Sequence, residues 1–255
     1  MSHLTGKRII ITGASKGIGA ATATYMAMEG AKITLAARTE DAIVELAEQI
    51  NLDGGSAIAV ACDVADYAQV QTVIDATVDA FGGVDVLVNN AGLIDPIGRL
   101  TDLSADDFGR VIDVNLKGVF NGMKAAIPAM DGDGTIINIS SGAAYGVLEG
   151  WCHYSASKAG VLQLTRAGDK EYGDMGIRSI GLSPGTVATD MQREIKASGI
   201  NAVAAMDFDQ HIPADYVAKT IGYLIGPGGD AHLGADFSIK TNEGRAAVGL
   251  PPVST

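Results

Sequence analysis

The stretch KRIIITGASKGIG, residues 7–19, narrows the possible folds more than any other part of the chain. Residues 7–12 form a short apolar run rich in β-branched side chains, which reads as a buried strand. The run passes directly into Gly13, Gly17 and Gly19, and residues 20–29 have the composition of a helix. A bare glycine pattern can be a structural turn. Between a strand and a helix it becomes a phosphate site, because glycines admit a pyrophosphate close to the backbone and the helix start offers unpaired N–H groups. The spacing here is G-x-x-x-G-x-G rather than G-x-G-x-x-G.

Strand and helix then alternate. Residues 31–37, 57–61 and 84–88 read as strands, and residues 39–52 and 67–81 as helices. Residues 105–129 read as one long helix with Asn115 inside it, followed by a strand at 134–140, a helix at 154–172 and a strand at 178–182. This order implies an α/β, Rossmann-like, doubly wound parallel sheet with helices on both faces. At 255 residues the chain suits a single domain, and ligands are expected beyond the carboxyl ends of the strands.

One such strand end carries the chemistry. Residues 136–158 hold Ser140 and Ser141, then Tyr154 and Lys158. A separation of four is about one helical turn, so phenol and ammonium share a helix face. An ammonium beside a phenol favours the phenolate. Bringing a tyrosine from about 10 to near neutrality takes roughly 4 kcal/mol, which a partly desolvated lysine and a second cation could supply. A tyrosine so tuned exchanges a proton with a carbonyl or alcohol oxygen.

Charge restricts the ligands. A formal net charge of −12 argues against nucleic acid or an anionic membrane, so a phosphate ligand must meet local cations. Lys16 in the glycine turn and Arg38, next to Thr39 at the end of the second strand, are such cations. An arginine there accommodates a ribose 2′-phosphate, whereas NAD sites usually carry a carboxylate, so the reading is NADP(H). Cys62 and Cys152 have no metal-ligand spacing and read as small buried hydrophobes. With no signal peptide and no apolar run of membrane-spanning length, the expected setting is the cytoplasm.

These motifs together resemble the short-chain dehydrogenase/reductase family over about residues 5–240. The matching residues are Thr12, Gly13, Gly17 and Gly19; Asp63; Asn89, Asn90 and Gly92; Asn115; Ser141; Tyr154 and Lys158; and Pro184 and Gly185. The resemblance implies that Tyr154 is the acid/base and that Lys158 lowers its pKa and binds the nicotinamide ribose. Ser141, 13 residues before Tyr154, would hydrogen-bond the carbonyl oxygen, and Asn115 would hold a water linking Lys158 to solvent. Ser140 would be structural. Gly13, Ser15, Gly17, Ile18 and Gly19 would hold the pyrophosphate, Asp63 and Val64 the adenine, and Asn90, Ala91 and Gly92 the adjacent ribose. Pro184, Gly185, Val187 and Thr189 would line the nicotinamide side, with Lys16 and Arg38 matching the NADP-preferring pattern.

The implied reaction is hydride transfer between NADPH and a ketone or aldehyde, without a metal. Residues 189–212 would form a mobile lid whose Met191, Ile195, Ile200, Val203, Met206 and Phe208 suggest a hydrophobic carbonyl or alcohol substrate. Tyr145, Val147, Trp151, Cys152 and His153 are further candidates for the pocket wall. A 3-oxoacyl-(acyl-carrier-protein) reductase is the nearest alternative. Acidic residues in the turn 130–134, and Met175 where an arginine is common, weigh against an acidic carrier. A non-catalytic NADP(H)-binding sensor is the alternative of another class, disfavoured by the complete set Asn115, Ser141, Tyr154 and Lys158. The resemblance also implies a homotetramer, or a homodimer. Two departures stand out: Ile180 where many relatives have asparagine, and residues 232–244, where relatives often end a strand with Asp-Gly-Gly and here Asn242-Glu243-Gly244 follows Lys240-Thr241, so the last strand and the tail from about residue 241 are expected to pack differently.

Overall fold

In the computed structural model, which describes residues 2–253, seven strands form one parallel sheet. They are β1 (Arg8–Thr12), β2 (Lys32–Ala37), β3 (Ser56–Ala61), β4 (Val86–Asn89), β5 (Gly134–Ile139), β6 (Ile177–Ser183) and β7 (Asp236–Ser238). Their order is β3-β2-β1-β4-β5-β6-β7, so the winding reverses between β1 and β4 and opens a crevice at their carboxyl ends. The sheet is buried on both faces, which is why its strands read as continuous apolar runs. Ile9 and Ile11 face a core built with α1 (Gly17–Met28), α2 (Glu40–Leu52) and, later in the chain, Val217, Ile221 and Leu224. Ile10 and Ile136 face the other way, towards Val73 of α3 (Tyr67–Phe81) and Val119 and Val161 further on.

The expected helix over 105–129 is divided. α4 (Ala105–Ile112) runs into a wide π turn (Asp113–Lys117), and α5 (Gly118–Ala126) continues from it to a short 3₁₀ turn (Ile127–Ala129). Asn115 and Asn121 supply the reason. The Asn115 amide pairs both ways with the backbone of Leu93, at 2.7 and 2.8 Å, and Asn121 Nδ2 donates to Val64 O at 2.9 Å. With both points tied to loops beyond the sheet, the backbone between them takes up an extra residue, a feature common at functional sites.

α6 (Cys152–Tyr172) starts two residues before the expected position and packs along β6. Residues 189–212 contain α7 (Asp190–Ser198) and two 3₁₀ turns, and Val187 pairs with Ile212 at their base. α8 (Ala214–Ile225) returns to the sheet, and β7 is followed by α9 (Asn242–Val248). The tail packs through Arg245, whose guanidinium donates to the carbonyls of Ile239, Pro251 and Pro252. Ile180 is fully buried in the core, so apolar packing serves at this position. No helix among the described residues is long and apolar enough to cross a membrane.

A buried polar chain joins three elements. Asn89 Nδ2 donates to Asn138 Oδ1 at 2.9 Å, and Asn138 Nδ2 donates to Thr165 Oγ1 at 3.0 Å, linking β4, β5 and α6. Substituting Asn138→Ala strands a buried donor on Asn89, which costs about 1–3 kcal/mol. Urea denaturation should show that loss with an unchanged slope, and an unaltered midpoint would mean that the chain carries no net stability.

Candidate active site

One cleft of about 730 Å³ runs across the carboxyl ends of the strands, within the range of roughly 300–1,000 Å³ usual for ligand sites. Its nucleotide half is built on backbone. Gly13 (φ +64°) and Gly17 (φ +58°) adopt left-handed conformations that other residues resist. A Cβ on Gly13 would stand 2.8 Å from the Ala91 Cα, so β1 and β4 can approach only with glycine there. No side chain caps the start of α1, which leaves its first N–H groups open. A glycine cradle at an uncapped helix start fits the pyrophosphate of a dinucleotide.

Of the nucleotide-site residues expected from sequence, Gly13, Ser15, Lys16, Gly17, Ile18, Arg38, Thr39, Asp63, Val64, Asn90, Ala91 and Gly92 line this cleft, as do Pro184, Gly185, Val187 and Thr189. Gly19 does not; it is buried, with Gly13 O, Ala14 Cα and the Asn90 amide where a side chain would be. The Asn90 amide donates to the carbonyls of Thr12 (2.9 Å) and Gly13 (3.1 Å), so this side chain shapes the turn. Lys16 is bound to Asp190 at 2.9 Å, which leaves exposed Arg38 without an ion pair or side-chain hydrogen bond among the described residues at the adenine end.

The catalytic half is organised by three consecutive residues at the end of β5. Ile139 O accepts from Lys158 Nζ at 2.7 Å, and Ser140 Oγ donates to Asp236 Oδ2 at 2.5 Å. The next residue, Ser141, lies against Tyr154 and favours its ionised form by hydrogen bonding. Tyr154 and Lys158 are both buried, and the Lys158 Nζ is 5.7 Å from the tyrosine ring centre. Burial dominates both groups: it pushes the Tyr154 phenol up and brings the Lys158 ammonium down to about 8. Burial thus works against the expected phenolate, and the Ser141 hydrogen bond works towards it. The charged neighbour that acts on Lys158 is Asp236, which favours the ammonium, and desolvation outweighs it.

Asn115 is fully buried, off the cleft wall, and its side chain is spent. Besides Leu93 it reaches Ser157 Oγ at 3.1 Å, and Ser157 in turn donates to Tyr154 O at 2.7 Å. The side chain thus ties the π turn to α6, and any water relay must use its backbone. Sequence reasoning passed over Ser157 and Asp236. Ser157 stands inside the Tyr154–Lys158 motif and could have been questioned, whereas nothing local marks Asp236.

Apolar residues close the other end of the cleft: Ile94, Val147, Leu148, Trp151, Met191, Ile195 and Val203. The Trp151 and Tyr154 rings meet edge to face at 5.6 Å. Of the expected pocket residues, Tyr145, Cys152 and His153 lie off the wall, as do Ile200, Met206 and Phe208. The His153 imidazole is buried against Pro96 O at 2.8 Å, which removes it from chemistry. Cys62 is buried but Cys152 only half-buried. The acidic turn 130–134 precedes β5, and Gly176 beside Met175 abuts Gly132. Both lie a strand length, roughly 20 Å, from the cleft, so the sequence argument that they repel a partner at its mouth does not hold.

The model of the short chain dehydrogenase family matches residues 7–199. The chain belongs to that family. It is 37% identical over 227 residues to a 3-oxoacyl-[acyl-carrier-protein] reductase of Synechocystis, covering 88% of this chain and 91% of that one. It is 39% identical to an uncharacterized oxidoreductase of Thermotoga maritima, over 77% of this chain and 78% of the relative. Among solved structures, a short chain dehydrogenase of Burkholderia cenocepacia in complex with NADP superposes with a TM-score of 0.83 at 33% identity, covering 93% and 98% of the two chains. A short-chain type dehydrogenase/reductase of Mycobacterium marinum gives 0.84 at 32% identity, covering 92% and 94%. As a member of this family, the chain is an oxidoreductase.

The buried ammonium gives a pH test. A Lys158 pKa brought from 10.5 to about 8 corresponds to a penalty on the order of 3 kcal/mol at neutral pH. Between about 8 and 10.5 the folded protein binds fewer protons than the unfolded chain, so this group's contribution to stability rises with pH and the penalty fades. Lys158→Met should therefore unfold later than the parent at pH 7, by an amount that shrinks across that window in denaturation curves. A constant difference would show that the ammonium is not penalised by burial.

Proposed function

We propose that the protein is an NADP(H)-dependent oxidoreductase that interconverts a ketone or aldehyde and its alcohol. The observation that carries this reading is the convergence of Ser141, Tyr154 and Lys158 at one end of a cleft whose other end is a glycine cradle. A bound nicotinamide would supply or accept the hydride. The protein's part is proton transfer and position. Tyr154 gives its phenolic proton to the substrate oxygen during reduction, and Ser141 donates a hydrogen bond to that oxygen. Lys158, with a pKa of about 8, can hold or release a proton near neutrality and so recharge the phenol. Asn115 and Ser157 hold α6 in place. The apolar wall around Trp151 suits a hydrophobic substrate.

Arg38 at the end of β2, with no acidic residue beside it, supports NADP(H) over NAD(H). A 3-oxoacyl thioester is the second reading, favoured by the likeness to the Synechocystis enzyme and by the distance of the acidic turn from the cleft. Nothing in the site favours a sensor over an enzyme. A homotetramer or homodimer packed through the helices that start near Ala105 and Tyr154 is the proposed assembly, and Phe108 and Phe120 are exposed on the first of these, in α4 and α5. The cytoplasm is the proposed location.

Initial rates of NADPH and NADH oxidation over aryl ketones, cyclic ketones, aldehydes and a 3-oxoacyl thioester test the reading. Turnover of free ketones with NADPH ahead of NADH is expected, and thioester-only turnover would select the second reading. Tyr154→Phe should lose about 100-fold or more in kcat while still binding NADPH. Retention of more than about a tenth of the activity would remove Tyr154 from its role. Arg38→Ala should weaken NADPH about tenfold and leave NADH unchanged, read from the two KM values.

A further inference from the structure

Four cations line the cleft, and they differ in what they meet. Lys16 is bound to Asp190, Lys158 donates to Ile139 O, and Arg38 stands at the adenine end. Lys240 is the fourth. Its ammonium makes no ion pair or hydrogen bond among the described residues, although the chain carries a net charge of −12. Its place is set by two glycines. A Cβ on Gly185 (φ +86°) would stand 2.9 Å from the Lys240 Cγ, so the stem occupies the space that a side chain at 185 would fill. A Cβ on Gly142 would stand 3.7 Å from the Lys240 Nζ. The ammonium thus sits beside the residue after Ser141, while its stem packs on Gly185, on the side of the cleft expected to face the nicotinamide.

Lys240 is exposed where it lines the cleft, and a cation there without a protein counter-ion is open to an anion. We propose that Lys240 is a specificity-determining residue that takes the carboxylate of an oxo-acid substrate, whose carbonyl meets Ser141 and Tyr154 and whose apolar body lies against Trp151 and Leu148. This rests on the oxidoreductase reading above and narrows its substrate from hydrophobic carbonyl compounds to hydrophobic oxo acids. The carboxylate falls within a few bonds of the reacting carbonyl, because the ammonium is adjacent to the residue after Ser141.

The test compares 3-oxohexanoate and phenylglyoxylate with their methyl esters as substrates for the parent, Lys240→Met and Lys240→Arg, with NADPH saturating. In the parent, acid is expected to exceed ester in kcat/KM. In Lys240→Met that ratio should fall about tenfold through the KM of the acid, with the ester and the KM for NADPH within about twofold, and Lys240→Arg should retain it. An unchanged ratio, an equal loss on acid and ester, or a weakened NADPH would overturn the proposal, the last by moving Lys240 to the cofactor. If the parent reduces neither acid nor ester, the reductase reading fails for these substrates. Calorimetric titration of the protein with phenylglyoxylate then decides Lys240: binding lost in Lys240→Met sustains the anion site, and no binding or equal binding overturns it.

Discussion

The carboxyl end of β5 is the constraint on which the site depends. Ile139, Ser140 and Ser141 follow one another, yet each engages a different part of the chain: Lys158 on α6, Asp236 on β7 and Tyr154 one turn before the lysine. Side chains alternate along a strand, so a slip of one residue would present all three to the wrong partners. Full burial of β5 between β4 and β6 holds that register, and the Asn89–Asn138–Thr165 chain fastens it from the side. Gly181 completes the arrangement. It pairs with Asp236 across β6 and β7, and its missing side chain leaves room for the carboxylate that Ser140 holds.

Burial creates the electrostatic character of this end. A phenol and an ammonium removed from water both favour their neutral forms, and the structure sets against this only a serine hydroxyl, a backbone carbonyl and a half-buried carboxylate. The result is a lysine brought down to about 8 beside a tyrosine whose phenol is pushed up by burial. Such groups cost stability, and active sites commonly carry that cost.

The same economy of elements appears around the helices. The π turn places Asn115 where it can brace both the loop after β4 and α6, and the lid residues Ile195 and Val203 share an apolar cluster with Trp151 and Tyr154. Residues 189–212 are therefore packed against the residue proposed to transfer the proton, and their first turn is tied to the glycine loop through Lys16 and Asp190.

Most of the architecture could be read directly from the chain, because the signals are local. A β-branched run, a glycine turn and an amphipathic stretch repeat often enough to specify a parallel α/β sheet, and a tyrosine and lysine one turn apart need only a helix to share a face. What local pattern could not show are contacts between distant segments. Ser140 meets Asp236 across 96 positions and Lys16 meets Asp190 across 174. Lys240 reaches Gly142 only because β7 lies beside β6 at the sheet edge. Asn115 was visible as a motif residue, but its commitment to Leu93 and Ser157 depends on a π turn that helix periodicity does not announce. The chain by itself determined the fold class and the placing of Tyr154 and Lys158 on one helix face, since both follow from spacing within a few residues. The order of the strands decided which charges meet and which stay free, and with them the character of the site, since charge pairing depends on distance in space and not along the chain.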